Sequence, residues 1–171
     1  SALGAKRAAL EDVVWSIAGL KPKDGLFLKI IGCGDGEAGL KRAIEAHGLS
    51  PQVEFENRIY PLRRMPEVIK DYQLGIVPYR PSRATDYMLP VKMLELTVAG
   101  IPVITVANTA IRHYFGDSLF FPYDPSRPGS LTALLDDLIE RPEPILTLRK
   151  ALLARREDFL WSGESGKLME L

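Results

Sequence analysis

The sequence has few of the features that mark secreted, membrane-spanning or nucleic-acid-binding proteins. It carries one cysteine, Cys33, which excludes an intrachain disulfide framework and favours a reducing, cytoplasmic location. No apolar run approaches the ~20 residues of a membrane-spanning helix, and charged residues interrupt the start of the chain, unlike a signal peptide. Lysine plus arginine number 22 and aspartate plus glutamate 22, so the basic excess of a nucleic-acid binder is missing and no nucleic-acid partner is expected.

Side chains that commonly bind metal ions or act as nucleophiles are also scarce. His47, His113 and Cys33 do not show zinc-ligand spacing, and no Ser-His-Asp or Cys-His constellation can be assigned. His47 directly precedes Gly48, where capping the end of a helix is its better interpretation. The sequence therefore predicts no metal site and leaves the catalytic residues unknown. Hydrophobic residues are abundant, at 46% of the chain, which is enough for one buried core.

Short apolar strands alternate with amphipathic helices along the whole chain. The predicted strands cover residues 26–31, 53–55, 74–77, 103–106 and 119–121. The predicted helices cover residues 5–20, 37–47, 65–70, 92–95, 110–114 and 131–139, and a last helical region runs from 145 past 161. This alternation predicts an α/β fold of Rossmann-like type, with a mainly parallel sheet and helices on both faces.

The length predicts a single domain over residues 1–171, in which residues from about 145 to 171 form a C-terminal helical extension. Because the helical pattern begins almost at Ser1, we expect the chain to be a fragment of a longer protein. Ser130 is expected to cap the helix that follows it.

The loops at one edge of the predicted sheet carry the polar candidates. In open parallel sheets the ligand crevice lies beyond the carboxyl ends of the strands, so the loops after those ends should share one rim. These loops follow Ile31, Phe55, Val77 and Val106. Together, the arginines of two such loops would attract an anionic ligand. They are Arg58, Arg63, Arg64, Arg80 and Arg83.

The first of these loops resembles a dinucleotide-binding fingerprint only loosely. The third glycine of G-x-G-x-x-G would fall at Glu37, and Asp35 adds a second negative charge where a pyrophosphate would lie. This charge argues against an NAD-dependent epimerase or reductase. A ligand approaching the backbone at Gly34 fits the turn better, and Cys33 is better interpreted as a small buried residue than as a reactive thiol.

Residues 89–104 carry the strongest functional signal in the chain. A short helix is predicted to begin after Pro90 and to end at Gly100, directly before a buried strand. The N-terminus of a helix offers free amides and a positive dipole end to a diphosphate, and Lys92 adds a point charge. Glu95, one turn further on, can accept hydrogen bonds from two sugar hydroxyls. The alternative is an exposed i,i+3 ion pair of little consequence.

The order of these segments resembles the C-terminal, donor-binding half of retaining GT-B glycosyltransferases of family 4. The likeness covers roughly residues 6–171. It is carried by residues 28–34, 53–55 with 57–59, 74–78, 92–104 and 158–162. Of these, the stretch 92–104 is the most specific match.

The resemblance implies roles for the residues around that helix. Glu95 matches the second glutamate of the family's Glu-x7-Glu motif, which binds the donor ribose. The first glutamate would fall at Tyr87, and Asp86 beside it would serve after a shift of one residue. Otherwise the chain matches the branch that reads Pro-x-Lys-x-x-Glu, here with Pro90 and Lys92.

Other donor contacts implied by the family involve backbone groups. Leu89 and Val91 would supply phosphate-binding amides, whereas the proline between them has no N–H. The backbone near Ile59 would meet the nucleotide base, with Arg58 beside it, and Gly34 lies in the glycine turn. The donor site implied by the resemblance thus spans three loops and one helix start.

The resemblance implies that the complete enzyme transfers a hexose from a nucleotide-diphosphate sugar to a glycan or lipid-linked acceptor, with retention. That donor is a substrate, and no cofactor is implied. The N-terminal acceptor domain, with its catalytic groups, is expected as the missing partner, so this chain alone should be nearly inactive. Many relatives act on lipid-linked acceptors, which implies peripheral attachment of the full protein at the inner face of the membrane. The alternatives are a non-catalytic, regulatory nucleotide-binding module and, less favoured, an NAD-dependent epimerase or reductase fragment.

Overall fold

A computed structural model describes residues 9–20 and 26–160 of the chain. Within these residues strands and helices alternate in the predicted α/β manner. The strands are β1 Leu28–Ile31, β2 Val53–Glu56, β3 Gly75–Val77, β4 Val103–Val106 and β5 Phe121–Tyr123. The α-helices are α1 Leu10–Ala18, α2 Glu37–Ala46, α3 Met65–Ile69, α4 Arg83–Asp86, α5 Val91–Val98, α6 Thr109–Phe115, α7 Ser130–Glu140 and α8 Glu143–Ala154. Short 3-10 helices lie at Leu62–Arg64 and Arg156–Phe159.

The strands form two parallel sheets. Strand β1 pairs with β2, and β4 lies between β3 and β5. Ile104 of β4 is the partner of Ile76 on one side and of Phe121 on the other. Each pairing within the described residues is parallel, as the βα alternation predicts. The carboxyl ends of the strands in each sheet therefore meet at a common edge, where the following loops gather.

The larger hydrophobic core connects the two sheets through helices α1, α2 and α7. Their inward residues recur at helical spacing, as in Val13, Val14 and Ile17 of α1, all nearly inaccessible. These side chains pack with Ile30 of β1 and Ile104 of β4. One apolar cluster thus holds both sheets and three helices together.

A second hydrophobic cluster lies between helices α5, α6 and α8. It contains Met93 of α5, Phe115 of α6 and Leu152 of α8, each 1% exposed or less. The ring of Phe159, in the last 3-10 helix, stacks on Phe115 with 4.9 Å between ring centroids. Phe121 of β5 borders both clusters, so helices cover both faces of the β3–β4–β5 sheet.

Helix α5 ends where the sequence predicts, at Gly100. The amide of Gly100 donates to the Thr97 carbonyl and that of Ile101 to the Leu96 carbonyl, which closes the helix end. Gly100 has a φ of +72°, a left-handed conformation that favours glycine. A Cβ at this position would lie 2.6 Å from Cδ2 of Leu153 on α8, so the close approach of the two helices also requires glycine.

Two predicted elements differ from the structure. Strand β5 begins at Phe121 rather than at Leu119, because Leu119 and Phe120 are buried side chains of the second cluster. Ser130 does not cap α7: Gly129, with a φ of +77°, is the N-cap, and the Ser130 hydroxyl accepts a hydrogen bond from the Asp124 amide at 3.0 Å. The two apolar residues therefore belong to the hydrophobic core and not to a strand, and the serine stabilises the turn before α7 and not the helix start.

Smaller differences concern element ends. The loop predicted after Val77 contains the single-turn helix α4, which begins with a capping box between Ser82 and Thr85. In the described chain α1 begins at Leu10, and residues 5–8 of its predicted range lie outside the described residues. The predicted continuation past 161 also lies outside them.

Candidate functional site

Helix α5 presents an open N-terminus. Pro90 is its N-cap residue and supplies no side-chain cap, so no described side chain covers the amides of Val91 and Lys92. The Met93 amide donates to the Pro90 carbonyl at 2.9 Å, which fixes the first turn. Val91 is exposed, so this helix end faces solvent. Free amides at the positive end of the helix dipole suit an anion.

Lys92 and Glu95 meet one turn inside that helix. Nζ of Lys92 lies 3.0 Å from Oε2 of Glu95, the i,i+3 pair that the sequence offers as the alternative interpretation. Only 14% of the Glu95 side chain is accessible, against 39% for Lys92. No described residue donates a hydrogen bond to Oε1 of Glu95. Oε1 of Glu95 can therefore still accept hydrogen bonds, and the ammonium group of Lys92 can still donate them, so the ion pair can bind a polar ligand.

The loops after β1 and β2 are joined to each other. Nδ2 of Asn57 donates to Oε2 of Glu37 at 2.8 Å, and Nζ of Lys41 lies 2.7 Å from Oε1 of the same carboxylate. The Gly32 amide donates to the Glu56 carbonyl at 3.1 Å. Glu37 is thus paired with a lysine of its own helix and hydrogen-bonded by the neighbouring loop. The glycine turn that contains Gly34, with a φ of +152°, is held against the β2 loop.

A cluster of charged side chains on β1 and β2 holds the start of the β2 loop. Nζ of Lys29 lies 2.9 Å from Oε1 of Glu54 and 3.0 Å from Oε2 of Glu56, and these two partners raise the pKa of the Lys29 amine. The Tyr60 hydroxyl donates to Oε1 of Glu56. Hydrogen bonds from Tyr60 and then from Lys29 hold the pKa of the Glu56 carboxyl below its usual value.

Arg58 and Ile59 lie at the outer end of this loop. The guanidinium of Arg58 stacks over the Tyr60 ring, with 4.9 Å from Cζ to the ring centroid. The Ile59 side chain is exposed. The stacking fixes the direction of the Arg58 side chain while its charge stays accessible.

The loop between β3 and α5, residues 78–90, is folded around Thr85 and anchored at both ends. The Thr85 hydroxyl donates to the Arg80 carbonyl at 3.0 Å and accepts from the Ser82 amide at 2.8 Å. Arg80 also pairs with Asp12 of α1, with 3.3 Å from Nη1 to Oδ2. These contacts give the loop between β3 and α5 a fixed conformation.

The turn after β4 binds the same loop from the other side. Nδ2 of Asn108 donates to the carbonyls of Thr85 at 2.7 Å and Met88 at 2.9 Å, while its Oδ1 accepts from the Ile111 amide at 2.7 Å. The carboxylate of Asp86 accepts from Thr109, from the amide at 3.2 Å and from the hydroxyl at 2.9 Å. One asparagine and one aspartate thus connect the start of α6 to the loop that leads into α5.

An open cleft of about 430 Å³ lies at the carboxyl ends of β3 and β4. Its walls come from the 78–90 loop and from the turn after β4, including Arg83, Asp86 and Asn108. Neither Lys92 nor Glu95 lines this cleft. The cleft lies where ligands of parallel α/β sheets bind, beyond the strand ends.

The predicted site residues therefore fall into groups that the structure brings together locally. The start of α5 contains Leu89, Val91, Lys92 and Glu95, and the end of α4 contains Asp86 and Tyr87. The β2 loop contains Arg58 and Ile59, and the β1 turn contains Gly34. The sequence interpretation missed Asn108 and Thr109. Asparagine directly before a helix is a strong N-cap signal, and it predicts the bond to the Ile111 amide. No local signal predicts the bonds from Asn108 to Thr85 and Met88, which cross more than one secondary-structure element.

Two further features describe the chemistry available. Among the residues that the structure describes, no group of three His, Cys, Asp or Glu side chains is arranged to hold a metal ion. In the same part of the chain no helix is both long and apolar enough to cross a membrane.

Comparisons with solved structures show a common fold. The chain is 15% identical to HepE from Anabaena, crystallised with UDP and glucose, with a TM-score of 0.79 over 100% of this chain and 47% of that one. It is 15% identical to the catalytic domain of cholesterol-α-glucosyltransferase from Helicobacter pylori, with a TM-score of 0.75 over 94% of this chain and 95% of that one. Sucrose-phosphate synthase from Thermosynechococcus elongatus gives 19% identity and a TM-score of 0.74, over 96% and 42%. The chain thus spans less than half the length of HepE and of sucrose-phosphate synthase.

The sequence comparison identifies the family directly. No curated protein matches the chain significantly. The family described as glycosyl transferases group 1 matches residues 5–152, which is most of the chain. This match includes every strand, the 78–90 loop and helix α5. The chain therefore belongs to the glycosyl transferases group 1 family.

Proposed function

We propose that this chain is the donor-binding domain of a glycosyltransferase that transfers a hexose from a nucleotide-sugar to a glycan or lipid-linked acceptor with retention. The observation that carries the proposal is the open N-terminus of α5, followed one turn later by the Lys92–Glu95 pair. Membership of the glycosyl transferases group 1 family supports it. The similar fold of HepE, which was crystallised with UDP and glucose, also supports a nucleotide-sugar as ligand.

The proposed donor contacts follow from the chemistry of each group. The amides of Leu89 and Val91 and the ammonium of Lys92 would bind the diphosphate, since all three offer donors at the positive end of α5. Glu95 would accept from the ribose hydroxyls through Oε1, the oxygen that Lys92 does not engage. The β2 loop would meet the base through the backbone at Ile59.

The β2 loop and the β1 turn would complete the donor site. The Arg58 guanidinium, directed by the Tyr60 ring, adds a positive charge next to the proposed base position. Gly34 allows the ligand to approach the backbone of the β1 turn. Tyr87, exposed at the end of α4, would offer a ring and a hydroxyl to the donor sugar.

The proposed contribution of this domain to catalysis is electrostatic. Negative charge builds up on the leaving diphosphate when its bond to the anomeric carbon of the donor sugar breaks, and the amides at the start of α5 together with Lys92 would stabilise that charge. The groups that act on the acceptor would come from an N-terminal domain of the same protein. The chain alone should therefore bind donor weakly and turn over little. For the complete protein we propose a cytoplasmic location with peripheral attachment to the inner face of the membrane.

Calorimetric titration of UDP-glucose, GDP-mannose and ADP-glucose into the 171-residue chain tests the proposal. We expect one of the three to bind, and Glu95→Ala to weaken its binding about tenfold or more, because a partly buried carboxylate would lose two hydrogen bonds to the ribose. Glu95→Gln, which keeps one acceptor, should lose less. Glu45→Ala is the matched control, since Glu45 is an exposed glutamate on α2. Binding that is indifferent to both Glu95 substitutions contradicts the proposal.

The same titration separates the alternatives. Equal affinity for a nucleotide with and without its sugar, unaffected by Glu95→Ala, would favour a regulatory nucleotide-binding module. Saturable binding of NADH would favour an oxidoreductase, which the acidic side chains of Asp35 and Glu37 beside the glycine turn argue against.

A further inference from the structure

We infer that Asp86 is a positioning residue, which holds the start of the donor-binding helix α5 in place through Thr109 instead of contacting the donor itself. This inference rests on the proposed function for its effect on donor binding. Its structural basis is a set of hydrogen bonds between the end of α4 and the start of α6, here called the 86–109 latch: Asp86 with Thr109, and Asn108 with Thr85 and Met88.

Both oxygens of the Asp86 carboxylate are used within the latch. Oδ1 accepts from the Thr109 amide and Oδ2 from the Thr109 hydroxyl. The Thr109 amide is one of the first-turn N–H groups of α6, which have no partner within the helix. The Asp86 carboxylate is therefore bound to a helix start, where negative charge is stabilised by the dipole. Its orientation is set by α6.

Asn108 makes the latch rigid, because it binds in both directions. Its Oδ1 accepts from the Ile111 amide within α6, so the side chain cannot rotate without breaking the cap. Its Nδ2 then donates to two carbonyls of the opposite loop, at Thr85 and Met88. With the two bonds of Asp86, these two contacts fix residues 85–88 against the turn after β4, a strand whose first three residues are buried.

The latch lies very close to the proposed phosphate-binding amides. Only Leu89 and Pro90 separate Met88 from Val91, the first residue of α5. Leu89 packs against the second hydrophobic cluster and Pro90 is buried, so neither linking residue is free to absorb a movement. A shift of residues 85–88 would therefore be transmitted to the amides of Leu89 and Val91.

A positioning role and a direct sugar contact predict different binding patterns. If Asp86 acts through the amides of α5, its loss weakens the binding of UDP and of the UDP-sugar by the same factor, because both present the same diphosphate. If Asp86 contacts the sugar, its loss weakens only the binding of the UDP-sugar. Thr109→Val also separates the two, since it removes the hydroxyl donor but leaves the carboxylate in place.

Hydrogen–deuterium exchange of the 171-residue chain provides a readout that needs no ligand. We expect Asp86→Ala and Thr109→Val each to speed exchange of the hydrogen-bonded amides of Met88 and Met93 by about tenfold, since local opening becomes easier when the latch is broken. Asp86→Asn should exchange nearly as the wild type, because an asparagine can accept from the amide and donate to the hydroxyl of Thr109. Asp71→Ala, an exposed aspartate in another loop, is the control.

Calorimetry with UDP and with UDP-glucose completes the test. We expect Asp86→Ala and Thr109→Val each to raise Kd for both ligands about fivefold, and the double variant to do no worse than the stronger single one. Unchanged exchange at Met88 and Met93 overturns the latch, and a loss confined to the nucleotide-sugar overturns the positioning role. If the wild type binds GDP-mannose or ADP-glucose instead of UDP-glucose, that donor and its nucleoside diphosphate replace the uridine pair in this test. If it binds none of the three donors and no UDP but the exchange results are as expected, the proposed function fails and the latch stands.

Discussion

Replacement of Gly100 by alanine tests how α5 is terminated and packed. An alanine at this φ of +72° adopts a left-handed backbone, which costs about 1–2 kcal/mol. Reduced entropy of the unfolded chain offsets about 0.4–1 kcal/mol of that cost. The new Cβ would also lie 2.6 Å from Cδ2 and 2.9 Å from Cγ of Leu153. Because Leu153 is 47% exposed and can turn away, this contact should add about 1 kcal/mol, at the low end for overpacking.

The expected total loss for Gly100→Ala is therefore about 2 kcal/mol, or roughly 4–8 °C in Tm for a chain of this length. Urea unfolding followed by circular dichroism measures it, with calorimetry for Tm. Gly48→Ala is the matched control, because Gly48 has a φ of +63° and no atom within 4 Å of its would-be Cβ. That variant should lose about 1 kcal/mol, the conformational part alone.

The contribution of the contact with α8 can be isolated by adding Leu153→Ala to both backgrounds. Shortening Leu153 removes the atoms that the new Cβ would meet, so the loss caused by Gly100→Ala should fall to that of Gly48→Ala. Equal losses at the two glycines in the presence of Leu153 would refute the packing argument. A loss at Gly100 that stays at about 2 kcal/mol in the Leu153→Ala background would refute it as well.

Two other predictions concern the supports of the site. Glu56 has a lowered pKa in the folded chain, so the stability it contributes is present above its ordinary value of 4.5 and is lost as pH falls through the folded value. Urea unfolding should show that Glu56→Gln and Tyr60→Phe each lose less stability than the wild type between about pH 5 and pH 3, and equal slopes would contradict the assignment. Asn108→Ala should cost about 2–3 kcal/mol, since it removes an N-cap, leaves the Met88 carbonyl without its side-chain donor and takes one of two donors from the Thr85 carbonyl. A loss below about 1 kcal/mol, the value of an ordinary cap, would show that those carbonyls find other donors.

Elements with a distinct local pattern could be predicted from the sequence. The run Val103–Val106 is apolar except for Thr105, and it forms β4, the most buried of the described strands. Gly100 ends α5 in a left-handed conformation, and a glycine directly after an amphipathic run is a local signal for such an end. The spacing of Lys92 and Glu95 placed both on one turn of a helix, and the structure confirms that they meet.

Features decided by distant packing could not be predicted in this way. Leu119 and Phe120 have the composition of a strand, yet α5, α6 and α8 provide a cluster that buries them before β5 begins. The 86–109 latch joins residues 23 positions apart, and its strength depends on the turn after β4. Composition alone does not reveal such a pairing, because aspartate, asparagine and threonine in loops are usually solvated.

The stacking of Phe159 on Phe115 has a practical consequence for handling the domain. Helix α8 ends at Ala154, which would be a natural place to cut when the chain is shortened for crystallisation. A protein truncated after Ala154 would lack Phe159 and so expose one face of the Phe115 ring, which is now 1% accessible. The neighbouring side of the second cluster would be exposed with it. Such a shortened protein should bind a hydrophobic dye and precipitate when concentrated, whereas one that keeps the residues through Phe159 should remain monodisperse.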